Sequence, residues 1–330
     1  MTTDDDNIAG SPELKRVSSG ISQRNIAVVG CDGWIGTQFR RYLKNCEVSK
    51  LINVVNLSRS TIKSLNSSAD KLRDYLEETN VVAIINFAGG KYSGMYNEIC
   101  KDPQVAWLGD FELPRLLVKT VQNTGIELIQ ISTGDVYDYY QIPSYSTSDC
   151  AFSEDNLCNA VFQSDVRAPF FSGMKFLAEQ IIRMHPYHYI FRIKHPIDMV
   201  SHNKNTINML LKDSVIPRAE ESFTFLPDLF RGILMVVLPD ESISYGIYHI
   251  AIPELTSMEQ LAKIIINNKN VKTLDEWRYD ICSINEYVSR CGANISFSCL
   301  KTDKFTKIGG HLTPFEYIKQ KVIPNVLNTR

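Results

Sequence analysis

The stretch Asn25-Ile-Ala-Val-Val-Gly30-Cys-Asp-Gly33-Trp-Ile-Gly36 decides the architecture. Residues 25–29 have strand character and run straight into glycines at 30, 33 and 36, after which a helical pattern continues from 34 to 45. A helix that starts directly after such a turn leaves its first N–H groups unpaired at the positive end of its dipole. Glycine lets the backbone turn tightly and approach a ligand closely. The junction is therefore of the kind that receives a phosphate group. Its spacing is G-x-x-G-x-x-G rather than the general G-x-G-x-x-G. The glycines draw their meaning from the strand and helix on either side; without those they would read as a packing turn.

The same alternation continues outward. Residues 51–57, 81–86 and 127–131 read as further strands, with helices expected over 61–79 and 107–123. Strands alternating with helices imply right-handed βαβ units and a parallel sheet covered on both faces. A helix over 170–184 and a strand over 189–193 extend the pattern. The last third mixes short elements at 205–212, 226–238, 246–251 and 257–267. The expected fold class is α/β: a Rossmann-type, doubly wound parallel sheet with a smaller mixed C-terminal lobe. The expected division is a flexible arm over 1–24, a dinucleotide-binding domain over 25–190, and a mainly substrate-binding lobe over 191–330, interleaved with it. Residues 139–169, rich in Ser, Asp, Tyr and Pro, form a long excursion, and long loops inside compact domains are usually functional.

Composition narrows the function class. The chain has 330 residues, 44% hydrophobic and 22% charged, with a formal net charge of −2. That balance is ordinary for a globular protein and unsuited to neutralising a phosphate backbone, so no nucleic-acid partner is expected. No apolar run approaches the roughly 18–20 residues of a membrane-spanning helix. The N-terminus begins polar and acidic and lacks the apolar core of a secretory signal. The eight cysteines include no C-x-x-C pair, so neither a zinc site nor any other metal is expected. A reduced, cytoplasmic chain follows.

The end of the second strand reports on the cofactor. An acidic residue there would hold the ribose 2′-hydroxyl of NAD. The stretch is Asn56-Leu-Ser58-Arg59-Ser60, with no carboxylate. Ser58 and Arg59 suit a 2′-phosphate, which favours NADP(H) over NAD(H). An ordinary solvated arginine is the plainer explanation. After the third strand comes Asn86-Phe87-Ala88-Gly89-Gly90, whose small residues would let the backbone lie against the adenine and ribose side of the cofactor. With Gly30, Gly33, Trp34, Ile35 and Gly36 they make the expected cofactor cradle.

With these motifs in hand the chain resembles the extended short-chain dehydrogenase/reductases, the nucleotide-sugar epimerase, dehydratase and reductase group. The likeness spans about 25–322. It rests on the glycine triplet, Asn86-Phe-Ala-Gly-Gly90, Ile131-Ser-Thr-Gly-Asp-Val-Tyr137 and Lys175-Phe-Leu-Ala-Glu179 in the family's order. Thr224-Phe-Leu-Pro-Asp228 and Gly246-Ile-Tyr-His-Ile250 resemble its later segments. The stretch from Ser132 to Tyr139, together with Arg192-Ile-Lys-His-Pro-Ile197, looks closest to reductases and epimerase-reductases of 4-keto-6-deoxy sugar nucleotides. The resemblance implies an NADP(H)-dependent reductase, with or without epimerisation, acting on such a sugar. A dehydratase or epimerase, or a reductase of another carbonyl metabolite, is the alternative. It further implies a homodimer paired through the helix beginning near Trp107 and the helix of Lys175.

The family pairs a Tyr with a Lys four residues later, beside a Ser or Thr closing the fourth strand. Here Thr133 and Lys175 match, and the Tyr position holds Phe171. A phenyl ring moves no proton. Three explanations stand open: an introduced Tyr-to-Phe change, another acid/base, or binding of cofactor and substrate without turnover. If another group acts, Asp135 is the first candidate, to move a proton on the sugar ring, and His195 the second. Their plainer roles are a loop cap and a structural histidine. Tyr137, Tyr139 and Tyr140 carry phenols nearby in sequence but are not favoured. By the same resemblance, Lys194, Asn205, Asn208, Lys212 and Arg218 fall where a nucleotide diphosphate binds.

Overall fold

Six parallel strands make the central sheet: β1 (Arg24–Val29), β2 (Ile52–Leu57), β3 (Val81–Asn86), β4 (Glu127–Thr133), β5 (His188–Ile193) and β6 (Gly246–His249). The structure is a computed structural model, and it describes residues 22–65, 68–90, 92–93, 99–100, 102–138, 151–160, 170–213, 215–238, 243–254, 256–267, 279–291 and 297–329. The strands lie in the order β6-β5-β4-β3-β1-β2. The chain leaves β1 towards one edge and returns to its other side as β3, so the strand order reverses between β1 and β3. A crevice opens at such a switch point, at the carboxyl ends of the strands. Ile26, Ala27, Val28, Ile84, Ile85, Leu128, Ile129, Ile190 and Phe191 are fully buried. That burial on both faces is why these strands read as unbroken apolar runs instead of alternating ones.

Helices cover both faces. On one, α1 (Trp34–Asn45) packs against the later helix Leu226–Val237, with Phe39 and Phe230 in edge contact at 5.6 Å. On the other, Leu72 and Leu76 of the helix Ala69–Glu78 meet Leu117 and Val121 of the helix Leu113–Val121. The α/β class with a parallel Rossmann-like sheet and small C-terminal sheets is as expected.

Two helices differ from expectation. The segment 61–79 is not one helix but two, α2 (Arg59–Ser64) and α3 (Ala69–Glu78). The hydroxyl of Ser68 accepts the Lys71 N–H and starts a new helix, as an N-cap does. The helix expected over 107–123 begins earlier, where Asp102 caps Pro103–Trp107. It passes through a π-helical turn, Leu108–Glu112, before Leu113–Val121, and 103–121 is called α4 below.

The helix α5 (Phe170–Ile182) leads into β5. Beyond it, α6 (Thr206–Leu210), α7 (Leu226–Val237) and α8 (Met258–Ile266) alternate with short two-stranded pairings, Pro196–Ile197 with Thr224–Phe225 among them. A separate apolar cluster, including Ile197, Phe225, Met258, Leu261, Phe297 and Val322, fills this part. Yet β6 extends the main sheet and α7 covers it, so residues after 190 serve both. Of the 1–24 arm, only 22–24 are among the described residues. Of the 139–169 excursion, 151–160 are; Tyr139 and Tyr140 lie outside them. No described helix is long and apolar enough to cross a membrane.

Candidate active site

Gly30 sits at φ +76°, and a Cβ there would lie 2.6 Å from the backbone N of Ala88. The turn after β1 is thus pressed against the turn after β3, and the Phe87 N–H donates to the Val29 carbonyl at 3.0 Å. The Gly33 N–H donates to the Gly30 carbonyl at 2.9 Å, closing the turn. Gly33 is the N-cap of α1 and offers no side-chain cap. A Cβ on Gly36 would lie 2.5 Å from the Gly30 carbonyl oxygen, so α1 approaches the turn as only glycine allows. This cradle, with its helix N-terminus uncapped by any side chain, fits a dinucleotide pyrophosphate. Trp34 stacks on His202 at 5.2 Å, and Ile35 is half-buried beside it. Asn86 braces the facing turn: its amide donates to Gln130 at 2.8 Å and its carbonyl accepts the Ala88 N–H at 3.0 Å.

At the end of β2, the Ser58 hydroxyl caps α2 by accepting the Thr61 N–H at 3.1 Å. Arg59, the next residue, is exposed and makes no hydrogen bond or ion pair among the described residues. It stands two residues beyond the carboxyl end of β2.

The helix α5 is clamped across the sheet. The Ser132 hydroxyl donates to Glu179 at 2.5 Å, and Arg192 forks onto the same carboxylate at 2.5 and 3.0 Å. Residues four apart share a helix face, so Lys175 follows one turn towards the carboxyl ends of the strands and Phe171 one turn further. Lys175 Nζ lies 2.9 Å from Asp110 Oδ1 and 5.7 Å from the Phe171 ring centre. The second Asp110 oxygen accepts the Gly90 N–H at 2.9 Å. A Cβ on Gly89 would lie 3.0 Å from Asp110 Oδ1 and 3.3 Å from Lys175 Nζ. The π turn makes this possible by bringing Gly109 onto the backbone of Gly89, where a Cβ would come within 2.9 Å. Such turns recur at functional sites. Sequence reasoning missed Asp110; the one available signal was a Gly-Asp pair set among the apolar residues Val105, Ala106, Trp107, Leu108 and Phe111.

A second cluster lies at the end of β4. The Thr133 hydroxyl donates to Asp135 Oδ2 at 2.9 Å, and the Asp135 N–H donates back at 3.1 Å. Asp135 Oδ1 is 2.9 Å from Lys194 Nζ, which is also 2.9 Å from Glu221 Oε2. Burial lowers the Lys194 pKa, but the two carboxylates outweigh it and the net shift is upward. His195, at φ +42°, places Nε2 3.8 Å from Glu221. Thr133, Asp135, Lys194 and His195 are therefore one assembly, and Glu221 is the member that sequence reasoning missed.

Several expected residues stand elsewhere. The Tyr137 hydroxyl is held in the core by Arg192 and by the Ser153 carbonyl. Lys194, expected at a nucleotide diphosphate, is wholly buried and committed to Asp135 and Glu221, because two carboxylates meet it where solvent cannot. Asn205 is buried and holds the carbonyls of Asp198 and Val200. Asn208 donates to Ser201 at 3.0 Å. Lys212 and Arg218 are exposed, the latter paired with Glu259.

Residues 26–157 match the profile of the NAD dependent epimerase/dehydratase family. No curated protein matches the chain in sequence. Solved structures are similar in fold. The UDP-rhamnose synthase of Acanthamoeba polyphaga mimivirus superposes with a TM-score of 0.72 at 17% identity, covering 92% of this chain and 100% of that one. The dTDP-4-dehydrorhamnose reductase of Bacillus anthracis, in complex with NADP, gives 0.66 at 16%, covering 94% and 99%. The dTDP-glucose 4,6-dehydratase of Bacillus anthracis, in complex with NAD, gives 0.63 at 15%, covering 91% and 96%. At these identities the likeness establishes the fold.

Proposed function

We propose that this chain, an NAD(P)-dependent enzyme of the epimerase/dehydratase type over residues 26–157, reduces a nucleotide-activated 4-keto-6-deoxy sugar. The observation that carries the reading is the buried Lys175 against Asp110 and Gly89. An ammonium fixed there, next to the glycine cradle, would hold a nicotinamide ribose. The cofactor supplies hydride when bound. Gly30, Gly33 and Gly36 would hold its pyrophosphate, with Trp34 and Ile35 at the helix start. Phe87, Ala88 and Gly89 would lie along its adenosine side, and Ser58 with Arg59 would select a 2′-phosphate, hence NADP(H). Thr133 would orient the sugar carbonyl by a hydrogen bond that strengthens as charge builds on the oxygen.

Phe171 supports a second reading, binding without turnover. The test is NADPH oxidation with dTDP-, UDP- and GDP-4-keto-6-deoxyhexoses, run beside NADPH binding. Turnover with one of them is expected. NADPH binding with no turnover on any sugar, by the chain or by Phe171→Tyr, would leave the second reading in its place. Homodimer formation through α4 and α5 belongs to the same proposal; Trp107, Leu108 and Phe170 expose apolar surface on those helices.

A further inference from the structure

We propose that Asp32, on the turn after β1, accepts hydrogen bonds from the adenosine ribose hydroxyls of the dinucleotide, so that the chain binds NADH as well as NADPH and Asp32 opposes Arg59 in setting the preference. The inference rests on the cofactor cradle of the reading above and assigns the specificity of that same site.

The end of β2 lacks a charged acceptor. A dinucleotide whose pyrophosphate lies at the start of α1 carries its adenosine ribose towards the carboxyl end of β2, where a carboxylate would bind the 2′-hydroxyl. Here β2 closes on Asn56 and Leu57, and neither is charged. Ser58 is engaged locally. Its oxygen accepts the Thr61 N–H at 3.1 Å and lies 2.7 Å from the Ser60 hydroxyl and 2.9 Å from that of Thr61.

Asp32 brings a carboxylate to the same end of the sheet from the neighbouring strand. β1 and β2 pair in parallel, with Val28 opposite Asn56 and Val29 opposite Leu57. The turn that follows β1 therefore stands beside the last residues of β2. The buried Cys31 thiol joins the two: it donates to Asn56 Oδ1 and lies 3.6 Å from Asp32 Oδ1. Burial first, and the Asp32 carboxylate second, push the Cys31 pKa up, so the thiol keeps its proton. Asp32 itself is exposed and makes no ion pair among the described residues. It lies between Gly30 and Gly33, whose backbone hydrogen bond closes the cradle. The carboxylate and a bound pyrophosphate would thus share one short turn of chain.

The two charged side chains at this end have opposite preferences. A carboxylate accepts charge-assisted hydrogen bonds from hydroxyls and repels a phosphate. Arg59, two residues beyond β2, attracts a phosphate. Specificity is a difference of affinities, and repulsion contributes to it as much as attraction does. With one acid and one base at the ribose, neither cofactor is shut out.

The experiment titrates the full chain, without sugar, with NADPH, NADH and the NADH analogue lacking the adenosine 2′-hydroxyl, read by cofactor fluorescence. The unaltered chain should bind NADPH and NADH within about tenfold of each other, and the deoxy analogue about fivefold more weakly than NADH. Asp32→Ala should tighten NADPH about fivefold and weaken NADH about fivefold. Asp32→Asn removes the charge and keeps an acceptor, so it should give the same gain for NADPH and a smaller loss for NADH. At about 1 M salt the NADPH gain should shrink, because screening weakens repulsion, while the NADH loss stays. Both affinities within about twofold of the unaltered chain in Asp32→Ala would overturn the proposal and leave Asp32 a solvated loop acid. Parallel loss of both cofactors would overturn it too, since Asp32 would then only shape the cradle. Equal binding of NADH and its deoxy analogue by the unaltered chain overturns it without any variant, so the answer does not depend on how the variants fold. If the unaltered chain binds none of the three, the cofactor reading falls with the proposal; if it binds them and only the Asp32 effects are missing, the proposal falls alone.

Discussion

Lys175 Nζ and Asp110 Oδ1 lie 2.9 Å apart, one carried by α5 and the other by the π turn of α4, with the backbone of Gly89 between the two helices. The Asp110 side chain is 0% exposed and the Lys175 side chain 10%. Removing one member of such a pair strands a charge, at a cost of about 3–5 kcal/mol. Asp110→Ala should therefore lower the denaturant midpoint strongly. The double variant Asp110→Leu/Lys175→Met should recover most of the loss, because both charges go together. Equal loss in the single and double variants would show that the pair is not the source.

Gly30 tests the cradle. Alanine there meets the Ala88 backbone at 2.6 Å and must hold φ +76°. Backbone cannot yield as a flexible side chain does. Gly30→Ala should lose NADPH binding by at least about tenfold, or about 1.4 kcal/mol, measured by titration of cofactor fluorescence. Gly125, where a Cβ would meet nothing within 4 Å, is the control: Gly125→Ala should leave binding unchanged.

Arg59 tests cofactor choice. It is exposed at the start of α2. Arg59→Ala should weaken NADPH about tenfold and NADH little, since a guanidinium–phosphate contact is among the stronger charge-assisted bonds. A parallel loss for both cofactors would place the 2′-phosphate elsewhere.

Two buried groups should give opposite pH signatures. Burial, aided by the Arg192 cation, holds His249 down to about 3, against 6.5 when unfolded. Below pH 6.5 the unfolded chain takes up a proton that the folded one refuses, so stability falls with falling pH, by on the order of 3 kcal/mol at pH 4.5. His249→Asn should flatten that loss. Burial raises Asp198 to about 6, against 3.8 unfolded. Here the folded state keeps its proton longer, so stability falls as pH rises from 3.8 to 6, by on the order of 3 kcal/mol. Asp198→Asn should raise the Tm at pH 7.5 and leave it unchanged at pH 3.5. Thermal unfolding across pH reads both.

Much of the fold was legible because its signals are local. The apolar runs that became β1, β3 and β4 needed only their own residues, since strands buried on both faces carry no polar alternation. The break between α2 and α3 was also present in the chain, in Ser67-Ser68 before an acidic first turn, but a helical average over 61–79 conceals it. The π turn was not legible. It exists because Gly109 must reach Gly89, and no window along one helix contains that contact.

The sequence by itself determined the parallel α/β layering, the glycine cradle after β1, the lack of a carboxylate after β2 and the lack of a phenol at 171. Each follows from residue type and spacing over a few turns of chain. Only the tertiary structure decided that Asp110 is the partner of Lys175, and that Lys194 is shut between Asp135 and Glu221 instead of open to a diphosphate. The physical reason is that a charge's role depends on what faces it and on whether water reaches it. Both are settled by segments far apart in the chain packing together, which spacing along it does not record.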